Sequence, residues 1–135
     1  SGNANCTGDV ATKVPFDTED WDTDSAFDSS SNYRFTVPSG EGGKYQFICA
    51  LSQEYGSTTT QYGMSNIWVN GSASKETRTM AYGDMSNVGT LLMTTVISLS
   101  ATNYVEAYGF QTRGGNEVIT AGNHTFFVGY KLAGV

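Results

Sequence analysis

Residues 33–51 read YRFTVPSGEGGKYQFICAL, and this stretch decides the fold class. Two strand-like runs, 33–37 and 44–51, flank Pro38-Ser39-Gly40-Glu41-Gly42-Gly43, whose residue types each favour a bend for their own backbone reason. The arrangement predicts a β-hairpin. In the first run Tyr33, Phe35 and Val37 share one face and Arg34 and Thr36 the other, the pattern of a strand with one side on a core and one in water. In the second, Tyr45, Phe47, Cys49 and Leu51 share a face, but Ile48 and Ala50 make the opposite face apolar as well. The second strand is therefore expected to be covered on both sides.

The pattern continues outward from this stretch. Apolar residues again occupy both faces over 91–99, with Leu91, Met93, Ile97 and Leu99 opposing Leu92 and Val96. They do so once more over 124–132, where Phe126, Val128, Tyr130 and Leu132 oppose Phe127 and Gly129. Between these runs, 64–69 followed by Asn70-Gly71 and 72–79 reads as a second hairpin, Asn-Gly being the strongest two-residue signal for one. In 104–110, Val105, Ala107 and Gly109 oppose Tyr104, Tyr108 and Phe110; a short strand is expected around Val118 and Ile119 and an edge strand around Val14, Pro15 and Phe16. No helical periodicity persists and no repeat emerges. About eight to ten short antiparallel strands separated by turns predict an all-β sandwich.

Composition agrees. The 135 residues fit one domain, and charged residues make up only 15%, so Ser, Thr, Asn and Gly carry much of the surface. Sixteen glycines against two prolines favour tight turns over a disordered, proline-rich chain. Residues 1–11 are small and polar and are expected to be a flexible lead-in, leaving 12–135 as the domain. The net charge of −6 and pI of about 4.5, with basic residues scattered, argue against nucleic acid or an anionic membrane as partner. No apolar run approaches the ~20 residues of a spanning helix. The absence of an initiator Met leads us to expect a mature fragment or excised domain.

In a lone sandwich the outer face of each sheet is mostly polar. If the runs at 44–51, 91–99 and 124–132 lie in one sheet, its second face needs a partner. Another copy of the chain around a symmetry axis is the economical choice, with Ile48, Phe127 and Tyr130 as interface residues.

Chemistry-bearing groups are few. His124 is the single histidine, and no Gly-x-Ser-x-Gly elbow accompanies it, so no catalytic residue and no enzyme activity are expected. Cys6 and Cys49 match no zinc or redox spacing, and both readings stay open, free thiols or a disulfide. Asp20, Asp22 and Asp24 have the one-three-five spacing that opens a calcium loop. Ser25 and Ser31 stand where that loop needs Gly and Glu, so an exposed acidic segment without a cofactor is expected and calcium is the alternative. The sequons at Asn5, Asn70 and Asn123 fit chance in so Asn-, Ser- and Thr-rich a chain.

Recognition through loops is what the inventory favours. Long polar loops are expected over 52–63 and 80–87. Aromatic side chains there suit sugar faces while neighbouring polar groups hydrogen-bond hydroxyls, and the candidates are Trp21, Tyr55, Tyr62 and Tyr82 with Asp84 and Asn87.

Four segments carry a resemblance to a known family. Phe35-Thr36-Val37-Pro38 with Gly43 and Tyr45-Gln46-Phe47, the upstream Phe27-Asp28, Val69-Asn70-Gly71, and Phe127-Val128-Gly129-Tyr130 resemble, in order and spacing, motifs of the complement q-subcomponent globular head and its tumour necrosis factor relatives. Thr102-Asn103 departs from the Gly-Asp usual before the penultimate long strand. The resemblance implies a jelly-roll β-sandwich that assembles as a homotrimer. The uncharged polar surface looks like that of phage and viral members. The first expectation is thus a non-enzymatic structural and recognition domain of a particle, a fibre, head fibre or appendage tip at the virion surface, that binds a host-surface glycan or protein. The alternative is a secreted, extracellular module of the complement class that binds a protein receptor.

Overall fold

A computed structural model describes residues 3–54, 62–82, 88–112, 116–120, 122 and 124–134. Among them the chain forms strands β1 (Ala4–Thr7), β2 (Thr12–Lys13), β3 (Phe27–Asp28), β4 (Arg34–Thr36), β5 (Gly43–Glu54), β6 (Tyr62–Val69), β7 (Ser72–Tyr82), β8 (Val88–Leu99), β9 (Tyr104–Gln111), β10 (Asn116–Ile119) and β11 (Phe126–Gly134), and no helix. All pairings are antiparallel and fall into two sheets, as the alternating pattern requires of an all-β sandwich. One sheet is built on β5. Its whole length pairs with β8 on one side, while β11 and β10 share the other side and β1 extends beyond β10. The second sheet runs β3-β4-β9-β6-β7, with β2 also paired to β9.

The three runs with apolar residues on both faces are β8, β5 and β11, side by side in one sheet. The hairpin expected around Pro38 to Gly43 does not form. β4 pairs with β3 and β9 in the second sheet, while β5 lies in the first, so the turn is a crossover between layers. The cause is backbone partners beyond the turn: Val37 N–H donates to Asn103 O and Thr102 N–H to Val37 O, which tie the end of β4 to the turn before β9. That turn is itself a crossover from β8, and the two cross side by side, with an added Cβ on Gly42 standing 3.5 Å from Leu99 O.

The hairpin at Asn70-Gly71 does form, both residues having positive φ (51° and 74°), as a turn that matches strand twist demands. The 1–11 lead-in needs correction: it contains β1, which pairs with β10, buries Cys6 and accepts a hydrogen bond from Gln111 Nε2 at Cys6 O. β5 runs on to Glu54 and β7 to Tyr82, into stretches expected as loops.

The core lies between the sheets and centres on Phe47, fully buried on β5. Its ring meets Phe127 at 5.6 Å, Phe35 at 5.8 Å and Tyr45 at 6.2 Å between centroids. Phe16 stacks on Phe127 and Phe27 packs against it at a tilt, closing one side. Leu51, Ile67, Val105 and Ile119 continue the core along the sandwich, each such side chain contributing about 1.5–3 kcal/mol on burial. Inside, Gln53 Nε2 donates to Met64 O and Ser65 Oγ to Cys49 Sγ, while the buried Thr120 Oγ1 finds no partner among the described residues.

Candidate functional site

Two outer faces have opposite character. On the first sheet, the register aligns Phe126, Ala50 and Leu92 in one row, Val128, Ile48 and Thr94 in the next, and Tyr130, Gln46 and Val96 in a third. Leu92 is 58% exposed, Val96 52% and Tyr130 46%; Phe126 is also exposed, as is Leu132 at the bulge of β11. A polar strap crosses this face, Tyr130 Oη donating to Gln46 Oε1 (2.9 Å) and Gln46 Nε2 to Thr94 Oγ1 (3.2 Å). Ile48 and Tyr130, expected as interface residues, lie on this face. Phe127 does not, because alternation turns it inward onto Phe47, so it belongs to the core and drops out as an interface residue.

The outer face of the second sheet is aromatic and polar. Outward residues of β9 face those of β6 across the ladder: Glu106 opposite Trp68, Tyr108 opposite Asn66, Phe110 opposite Met64. Lys13 of β2 lies opposite Tyr108 on the other side. Trp68 and Tyr108 stack with centroids 4.0 Å apart and planes 16° apart, and Tyr62 stacks on Phe110 at 6.0 Å. The Arg34 guanidinium carbon sits 4.2 Å over the Tyr104 ring, a cation–π contact. Between the rings Lys13 pairs with Glu106, a carboxylate only 4% exposed, and Lys13 Nζ also donates to Asn32 O. Burial, reinforced by the Glu106 charge, pushes the Tyr108 phenol above its ordinary range.

The expected ligand-binding residues do not gather at one place. Tyr62 opens β6 and joins the ring face just described. Trp21 stands 71% exposed between β2 and β3. Tyr82 ends β7, its side-chain surroundings lying outside the described residues, as do Tyr55, Asp84 and Asn87 altogether. Trp68, Tyr104, Tyr108 and Phe110, which loop-based reasoning missed, are on strands; the signal was the alternation that set three of these rings against Val105, Ala107 and Gly109.

The acidic segment is braced from within. Asp22 accepts from Asp24 N–H (3.3 Å) and Phe27 N–H (2.8 Å), which anchors the entry to β3, while Asp20 and Asp24 are exposed. Among the described residues no group of three or more His, Cys, Asp or Glu is placed to hold a metal ion. Cys6 and Cys49 are both buried free thiols, and burial pushes the Cys49 thiol up to about 12. His124 is exposed ahead of β11.

No family model matches the chain, and no curated protein matches it.

Proposed function

We propose that this chain is a homotrimeric jelly-roll module of a phage or viral particle, a fibre or appendage tip that attaches to a host-surface glycan or protein. The observation that carries the reading is the apolar outer face of β8-β5-β11, where Leu92, Val96, Phe126 and Tyr130 stand exposed over a two-layer sandwich that already has its own core. Exposed apolar side chains gathered on one face in this way mark an interaction surface. A second and third copy around a three-fold axis would cover it in every protomer alike. The strand order supports the jelly roll: β3-β4-β9-β6-β7 faces β11-β5-β8, and the chain crosses between layers at β4–β5 and at β8–β9. The other outer face, rich in rings, is then free to recognise a ligand.

Light scattering tests the assembly. A mass three times 14.5 kDa at micromolar concentration is expected, and a monomer overturns the trimer. Attachment is tested by competition, the purified trimer slowing adsorption of the parent particle to its host; unchanged adsorption overturns it.

A further inference from the structure

Resting on that attachment reading and giving it a ligand class, we propose that the outer face of β9-β6, around Trp68, Tyr108, Phe110 and Tyr62, binds an uncharged oligosaccharide. The two outer faces of this molecule differ in the way ligands differ. On β8-β5-β11 the exposed large side chains are Leu92, Val96 and Leu132 with the rings of Phe126 and Tyr130 among them, a largely aliphatic surface suited to another protein surface. On β9-β6 the rings are half-buried and stand in two stacked pairs, Trp68 with Tyr108 and Tyr62 with Phe110, with polar side chains among them. Asn66 lies opposite Tyr108, Lys13 flanks the same tyrosine, and Tyr62 and Tyr108 bring hydroxyls of their own.

The centres of protein–protein interfaces are depleted in Lys and Glu, whereas here the Lys13–Glu106 ion pair adjoins two of the rings, Glu106 lying opposite Trp68 and Lys13 opposite Tyr108. A pyranose needs that mixture: C–H faces against aromatic surface, and hydroxyls against an amide, a phenol and an ammonium. Tyr108 and Phe110, two residues apart on β9, have Cα atoms about 7 Å apart, so the two ring pairs suit a chain of sugars better than a single ring. Charge selects against acidic glycans. Glu106 neutralises Lys13, Arg34 is held over Tyr104, and the protein carries −6 overall.

Trp21 and Trp68 are the two tryptophans, so Trp21→Phe leaves Trp68 as the sole indole reporter. This variant is titrated with cellotetraose, mannotriose, chitotriose and lacto-N-tetraose, and saturation-transfer NMR with the same sugars is run on the wild type. At least one is expected to shift Trp68 emission. Trp68→Ala and Tyr62→Ala should each weaken its binding tenfold or more, and Trp68→Phe should retain most of it, with circular dichroism unchanged. The site is overturned if none of the four binds, if only sialylated or sulfated glycans bind on an array, or if binding is lost in Trp21→Phe and kept in Trp68→Ala. Adsorption competition separates this from the broader reading. Competition that survives Trp68→Ala leaves attachment standing and removes the sugar site, whereas Trp68-dependent sugar binding without competition does the reverse.

Discussion

The rings of Phe47 and Phe127 lie parallel, 5.6 Å between centroids and 2° between planes, on neighbouring strands of the same sheet. Gly129, directly opposite Phe47, is where that ring lies down: a Cβ added there would stand 2.5 Å from Phe47 Cε1. The aromatic ring thus covers a glycine on an edge strand, a device that pins register. Phe47 is fully buried and hemmed in by Phe35 and Tyr45, so it has little room to give. Gly129→Ala should therefore destabilise the fold by about 2 kcal/mol, as overpacking does, and lower Tm by roughly 6–8 °C in a thermal melt.

Charge on the opposite face of the same sheet has a different consequence. Val96 is 52% exposed, so Val96→Glu has no core contact to lose and should leave the thermal melt of the isolated protomer within about 0.5 kcal/mol of wild type. Repeated around a symmetry axis, the same carboxylate would be desolvated in each copy. If the proposed trimer forms, light scattering should show the variant as a monomer at concentrations where the wild type scatters as three copies.

That β5, β8 and β11 carry apolar residues on both faces is written in their alternation, but which face of β11 turns inward is not, so Phe127 reads as an interface residue and packs on Phe47 instead. What alternation does not encode is which strands pair. The Pro38 to Gly43 turn has the residues of a hairpin, yet the hydrogen bonds that make it a crossover come from Thr102 and Asn103, more than sixty residues on. The flexible reading of 1–11 failed for a similar reason: Cys6 and its neighbours are small and polar, and only pairing with β10 orders them. The ring face was half legible, because Tyr104, Tyr108 and Phe110 could be set on one side of β9 but Trp68 comes from a strand whose register no local signal fixes.

The Lys13–Glu106 ion pair should be uneven in its response to mutation. Glu106 is almost wholly enclosed while Lys13 is about one-third exposed, so Lys13→Met strands a buried carboxylate. Breaking a buried pair costs about 3–5 kcal/mol, and solvent access at Lys13 brings the expectation down to about 2 kcal/mol. The double variant Lys13→Met with Glu106→Leu should recover much of that loss. Urea denaturation of the two single variants and the double closes the cycle, and additive losses would show that the two side chains do not interact.

Acid response should be shaped by Asp28. Its carboxylate accepts from the backbone N–H groups of Ser30, Ser31 and Asn32 and from the side chains of all three. These bonds, the Ser31 backbone first, hold it far below the ordinary carboxyl value of 3.8. The sign follows from linkage: below that value the unfolded chain takes up a proton that the folded chain refuses, so stability rises with pH there. The contribution is complete above the unfolded value and lost as pH falls towards the folded one. Asp28→Asn should be less stable than wild type at pH 7, with the gap narrowing steadily below about pH 4 in melts run against pH.

Cys49 offers the last test, because its chemistry and its place in the core make the same demand. The thiol is fully buried, faces Ser65 Oγ at 3.9 Å, and burial pushes it up to about 12. A buried neutral thiol is a small hydrophobe and a poor nucleophile, since the thiolate is the reactive form. Native protein at pH 8 should therefore leave Cys49 unmodified by an aromatic disulfide reagent, and Cys6, also buried, should react little. In guanidinium, without reductant, both thiols should titrate. A titre of zero would mean that the two are joined. The pH dependence has the opposite sense to that of Asp28: the unfolded thiol ionises near 9.0 while the folded one stays protonated, so this contribution is whole below that value and is lost as pH rises towards 12. Cys49→Ala should flatten the alkaline limb of the stability curve while leaving the acid limb as it was.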